Sequence, residues 1–232
     1  NIIDFGAGAN SNTLNFIGNI TSEGLDARAF SFSNNDGNTL TMKGNIITEG
    51  NSAEGIKFFP GVTNANIDMT GNITTSGTGA NGFGMIDSDS NTTTLKGDIT
   101  TTGGVNFGTG YGANGIIIEN SDSNNTSLIG NISTTGLTAS GIHLLSGSDF
   151  NTTTITGNIT TTGNIAIGIH MFDSDSNNTT MTGNITTSGD SAHGILLDTS
   201  ASNTISLLGN INVNDANSRG VYIFQGSGNN LN

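Results

Sequence analysis

A twelve-residue unit, Thr152-Thr153-Thr154-Ile155-Thr156-Gly157-Asn158-Ile159-Thr160-Thr161-Thr162-Gly163, returns in close copies along this chain, and that recurrence limits its fold more than any other feature. The Gly-Asn-Ile core begins at Gly18, Gly44, Gly71, Gly97 (where Asp98 replaces Asn), Gly130, Gly157, Gly183 and Gly209, at steps of 26, 27, 26, 33, 27, 26 and 26 residues. Eight copies at one period define a repeat array. A second marker, a glycine opening an apolar run, sits at Gly55, Gly82, Gly115, Gly141, Gly168, Gly194 and Gly220, each 11 residues after the first marker except Gly115, which follows Gly97 by 18. A single loop insertion over 104–112 accounts for the long step.

Alternation within the unit predicts which side chains point inward. Two residues before each repeat glycine lie Phe16, Met42, Met69, Leu95, Leu128, Ile155, Met181 and Leu207. Two after it lie Ile20, Ile46, Ile73, Ile99, Ile132, Ile159, Ile185 and Ile211, and pairs such as Ile142/Leu144 and Ile169/Met171 supply a third wall. Short period-2 runs separated by glycine and polar turns read as strands. A 26-residue coil with about three strands per turn, stacked at roughly 4.8 Å, is an all-β parallel β-helix (β-solenoid) of about eight turns and on the order of 38 Å. The whole of 1–232 reads as one such domain. It enters and leaves in mid-turn without polar caps, which predicts either a piece of a longer array or head-to-tail stacking.

Stacking also predicts a ladder of side-chain amides from Asn19, Asn45, Asn72, Asn131, Asn158, Asn184 and Asn210, broken for one rung by Asp98. The closing glycines, Gly24, Gly50, Gly77, Gly103, Gly136, Gly163 and Gly189, are expected to take positive φ.

Composition separates this array from disorder and narrows its partners. The chain is rich in Gly (35 of 232 residues), Asn, Ser and Thr, but disorder has no use for apolar columns in register. With no cysteine there is no disulfide framework and no thiolate chemistry. A net charge of −13 with five basic residues opposes nucleic acid and anionic lipid as partners. No apolar run approaches the roughly 18 residues of a membrane span.

Tandem Gly-Asn-Ile-Thr-Thr-x-Gly units followed by Gly-Ile-x-Leu runs resemble the β-strand repeats of large bacterial autotransporter passenger domains and related surface adhesins. The resemblance implies a right-handed β-helix, extracellular or at the cell surface, used as a stalk or for adhesion. Its partners would be a host or neighbouring cell, a glycan, or further copies of itself.

Three surface features are candidates for more than architecture. Asp87, Asp89, Asp122, Asp149, Asp173 and Asp175 fall in the same loop on successive turns, and their hard oxygens suit Ca²⁺. Outward hydroxyls at Thr74, Thr100, Thr102, Thr135, Thr160, Thr162 and Thr186, with Ser76, Ser133 and Ser188, form two files resembling those of β-solenoid antifreeze proteins, which makes ice binding an alternative function. The insertion carries Phe107 and Tyr111, suited to stacking on a sugar or a partner. Apart from a possible Ca²⁺, no cofactor is expected.

Polysaccharide-degrading tailspikes share this type of coil and form a second alternative by analogy. Such sites need paired carboxylates or basic residues in an aromatic-lined cleft. The sequence reading instead places Arg28 and Arg219 near opposite ends, and sets His143 and His170 on an outward column without a third metal ligand. The chain is therefore expected not to be an enzyme.

Overall fold

The computed structural model describes residues 1–105 and 112–232. The chain winds into three parallel sheets. The first has nine strands, from Ile3–Phe5 to Val221–Phe224; the second has nine, from Thr13–Ile17 to Asn230–Leu231; the third has eight, from Ile20–Glu23 to Ile211–Val213. Apart from the first and last strand of each sheet, every strand pairs with the strands three before and three after it, so each turn of coil contributes one strand to each sheet. Partial turns flank the eight Gly-Asn-Ile copies, which is why two sheets reach nine strands. Among the described residues no helix is long and apolar enough to cross a membrane.

One turn shows how the sequence produces this. Thr152–Thr156 lies in the second sheet, Ile159–Thr161 in the third and Ile169–Phe172 in the first. Thr153, Ile155, Ile159, Thr161, Ile169 and Met171 are buried inside the coil, while Thr152, Thr154, Thr156 and Thr160 point out. The register is that of the repeat: Ile99 faces Ile132, and Ile132 faces Ile159. The insertion leaves this untouched, because it is accommodated between the third-sheet strand Ile99–Thr101 and the first-sheet strand Ile116–Glu119.

The core runs the length of the coil. Toward the amino end it is aromatic, with Phe5 stacked on Phe32 at 4.5 Å, Phe32 against Phe58 at 4.8 Å and Phe58 against Phe83 at 5.7 Å. From Ile116 onward the same wall is Ile, Leu and Met. Each such side chain, removed from water, contributes about 1.5–3 kcal/mol.

The glycine columns are fixed by contact between turns. A Cβ on Gly163 would lie 1.8 Å from the carbonyl oxygen of Gly136, and one on Gly157 would lie 2.0 Å from that of Gly130. Positive φ, expected throughout the closing column, holds at Gly24, Gly50, Gly77 and Gly189 but not at Gly103, Gly136 or Gly163. Backbone crowding, present from Gly50 through Gly189 along this column, is the more general constraint.

Buried hydroxyls divide into two sets. In the third sheet, Thr48, Thr75, Thr134, Thr161 and Thr187 each donate Oγ1–H to the carbonyl of an alanine five residues on, from Ala53 to Ala192, at 2.5–3.2 Å. Thr101 does the same across the insertion, to Ala113 at 2.6 Å. These bonds clamp the turn out of the sheet. In the second sheet, by contrast, the stacked Thr93, Thr126, Thr153 and Thr179 are buried with hydroxyls that meet no hydrogen-bond partner among the described residues. Ile67 and Ile205 continue their column at either end. An unsatisfied buried hydroxyl costs about 1–3 kcal/mol and valine has the same shape, so Thr126→Val is expected to stabilise the chain by about 1 kcal/mol in urea unfolding. A comparable loss would mean that water occupies the hydroxyl file.

Candidate functional surfaces

The asparagine after each repeat glycine forms the expected ladder: the backbone N–H of Asn45, Asn72, Asn158, Asn184 and Asn210 donates to Oδ1 of the asparagine one turn earlier, at 2.8–2.9 Å. Asp98 does not break it. Its N–H donates to Asn72 Oδ1 at 2.9 Å, and its own carboxylate accepts from the N–H of Asn131 at 2.8 Å and from Asn131 Nδ2 at 3.0 Å. The rung needs only an acceptor oxygen, which aspartate retains.

A second ladder, unforeseen from the sequence, lies buried at the end of the acidic loop. Asn91, Asn124, Asn151 and Asn177 donate backbone N–H to Oδ1 of the asparagine one turn later, at 2.8–2.9 Å. The Nδ2 of Asn124, Asn151 and Asn177 caps the carbonyls of Ser88, Ser121 and Ser148. Its signal was present as the asparagine two residues after Asp89, Asp122, Asp149 and Asp175, but burial of that residue is not readable from composition.

The acidic loop itself forms columns. Asp89, Asp122 and Asp149 accept the backbone N–H of Asp122, Asp149 and Asp175 at 2.6–2.8 Å, and Asp175 accepts that of Ala201 at 2.6 Å. Asp87 and Asp173 occupy a neighbouring column at left-handed φ of 48°, where Asn120 Nδ2 donates to Asp87. The candidate Ca²⁺ ligands are therefore set out along the coil, each of the first four with one oxygen used by the next turn. Among the described residues no three His, Cys, Asp or Glu side chains converge as a metal cage.

The hydroxyl face is in register. Thr74, Thr100, Ser133, Thr160 and Thr186 are direct neighbours on the third sheet, all partly exposed, and Thr102, Thr135 and Thr162 are exposed beside them. The outer face of the second sheet carries further files missed from the sequence, such as Thr152, Thr154 and Thr156 beside Asn178, Thr180 and Thr182. Phe107 and Tyr111 lie outside the described residues.

The histidines depart from expectation. His143 and His170 are neighbours in register with rings 4.4 Å apart and nearly parallel, but His143 is only 2% exposed. Its position is outward from the coil, yet the outer surface of the first sheet is covered here, as Ile117 and Leu145 beside it also show. Burial pushes His143 well below the usual imidazole range, with the neighbouring His170 adding to the effect. Burial, then His193, brings His170 down to about 4.

The charged groups gather further toward the amino end of the same face. Arg28 and Glu54 are one period apart, and Arg28 Nε meets Glu54 Oε2 at 2.6 Å. Lys57 Nζ meets Glu54 Oε1 at 2.7 Å, Arg28 pairs with Asp26 at 3.2 Å, and the guanidinium lies 4.9 Å from the ring centre of Phe59. Together they border a cleft of about 220 Å³, closed on the far side by Ile86, Ile117, Glu119 and Gly112. On sequence alone Arg28 is a cation near one end of the chain. The interval of 26 residues to Glu54 was the overlooked signal.

A coil of three parallel sheets with in-register side-chain ladders defines a β-solenoid repeat protein. No protein-family model matches the chain, and searches of curated proteins and of solved structures return no match.

Proposed function

We propose that this solenoid is a non-enzymatic extracellular rod, a structural and adhesive segment of a microbial surface protein similar in kind to autotransporter passengers, which holds its loops and faces away from the cell. The observation that carries this reading is the continuity of cross-turn bonding. Three backbone ladders, the exposed Asn/Asp column and the buried Asn column tie successive turns together, the exposed column running without a gap from Asn19 to Asn210. A chain bonded in this way resists bending because every turn is anchored at several points around its perimeter. The acidic, sparsely charged composition accords with an extracellular setting.

Extension of single molecules between the two chain ends tests the mechanical part. The expected trace is a series of steps, each releasing about one turn, because each repeat contacts only its neighbours. A single collapse at low force would remove the reading.

The aligned hydroxyls of Thr74, Thr100, Thr160 and Thr186 favour ice binding as a second reading, since they repeat at the sheet spacing on one face. Thermal hysteresis is its test, and its absence would leave those threonines as ordinary residues of an exposed strand.

A further inference from the structure

The cleft beside Glu54 has features that a rod does not require. Between two residues that line it, Lys57 and Ile117, sits Gly84, the one glycine in an outward column that otherwise includes Ser31, Lys57, Ile117, His143 and His170. A Cβ on Gly84 would come within 3.3 Å of both Lys57 Nζ and Ile117 Cγ2, so any side chain there would press on two residues that line the cleft. Lys57 is 5% exposed and its ammonium has three N–H groups, of which the described residues engage one, through Glu54. The others are available at the cleft it lines. Phe59 and Ile86, both partly exposed, give the cleft apolar sides, and the partly exposed Glu119 adds an acceptor.

We propose that this cleft is a binding site for one neutral pyranose unit of a glycan, with the C–H face of the sugar ring against Phe59 and Ile86 and its hydroxyls bonded to Lys57 and Glu119. The charge balance opposes an anionic ligand, since two cations, Arg28 and Lys57, stand against three carboxylates, Asp26, Glu54 and Glu119. Both cations are held by Glu54, and Arg28 also by Asp26, which leaves Glu119 as the acceptor for a sugar hydroxyl, and the ammonium competitor separates that hydroxyl from a cation. Size selects a single ring, because about 220 Å³ lies below the roughly 300–1,000 Å³ typical of pockets that enclose a larger ligand. A sugar also suits the mixed lining, which offers apolar walls with a few convergent polar groups. The assignment goes beyond the mechanical reading and does not depend on it.

Saturation-transfer NMR on the full 232-residue chain tests it, with the methyl pyranosides of glucose, galactose, mannose and N-acetylglucosamine as probes and with acetate and methylammonium as charged competitors. At least one pyranoside is expected to receive saturation on its ring protons, undisturbed by either ion. Gly84→Val, a residue suited to a strand whose column neighbour is already Ile117, pushes against Lys57 and Ile117 where they line the cleft, and Phe59→Ala removes an apolar side. Each variant, its fold checked by circular dichroism, is expected to weaken transfer by about tenfold or more, as loss of a central contact does. Absence of transfer to every pyranoside, persistence of full transfer in Gly84→Val, or displacement by acetate or methylammonium would each overturn the assignment.

Discussion

Acidification from pH 7 to pH 4 is expected to remove several kcal/mol of stability, most of it traceable to His143 and His170. Above about pH 6.5 both imidazoles are neutral whether the chain is folded or not, so they make no difference to the balance. As the pH falls below that value the unfolded chain takes up protons, whereas the folded chain resists: His170 until about pH 4, and His143 to lower pH still. The unfolded state then binds more protons, and stability must fall with falling pH. For His170 alone a depression from 6.5 to about 4 corresponds to about 3 kcal/mol, fully lost once the pH passes below 4. Urea unfolding at a series of pH values measures this directly. The double variant His143→Leu/His170→Leu, which continues the apolar character of Ile117 and Leu196 in the same column, is expected to flatten the profile between pH 6.5 and 4. An unchanged profile would assign the acid sensitivity to other groups.

Gly163→Ala is expected to cost about 3–5 kcal/mol, a loss in the range reserved for changes that force backbone to move. The new methyl would sit 1.8 Å from the carbonyl oxygen of Gly136 and 2.5 Å from its carbon, and neither can yield without opening the stack. Because Gly163 has no positive φ, the effect reports close approach alone. Gly6→Ala is the control: nothing lies within 4 Å of its added Cβ, and a change within about 0.5 kcal/mol is expected. Amide exchange should locate the damage. In an array with nearest-neighbour coupling, the strands Ile132–Thr134 and Ile159–Thr161 lose protection while Ile46–Glu49 keeps it. Uniform loss across all turns would show that the array unfolds as one unit.

These two sites also mark how far the sequence could be read. Stacking at one period placed Ile99 under Ile132 and Ile132 under Ile159, and alternation placed Thr160 outward and Ile159 inward, because both rules depend only on repeat length and strand geometry. The same rules put His143 outside the coil and from that inferred exposure. Alternation distinguishes the two faces of a strand and carries no information on whether the outer one is covered, so the burial of His143, Leu145 and Lys57 was invisible to it. The inward Thr153 column was likewise passed over, since a period-2 reading looks for apolar residues and threonine satisfies the shape without satisfying the label. For the acidic loop, recurrence was legible, but the division of labour between Asp149, which accepts the next turn's N–H near the surface, and Asn151, which accepts the preceding turn's N–H inside, depended on a bend that no spacing reveals. The cleft needed two facts at once: the 26-residue interval from Arg28 to Glu54, and a glycine where the neighbouring turns carry Lys57 and Ile117.

The rungs that bind one turn to the next have a lenient chemistry. Asn72, Asp98 and Asp122 all receive a main-chain N–H through a side-chain oxygen, and His193 receives that of Arg219 through Nδ1 at 3.0 Å. Since the receiving atom can be neutral or anionic, oxygen or nitrogen, mutation can recolour the outside of the coil from amide to acid while its pitch stays fixed. Such a scaffold separates what is shown to the surroundings from what keeps the chain wound, and leaves the first free to drift.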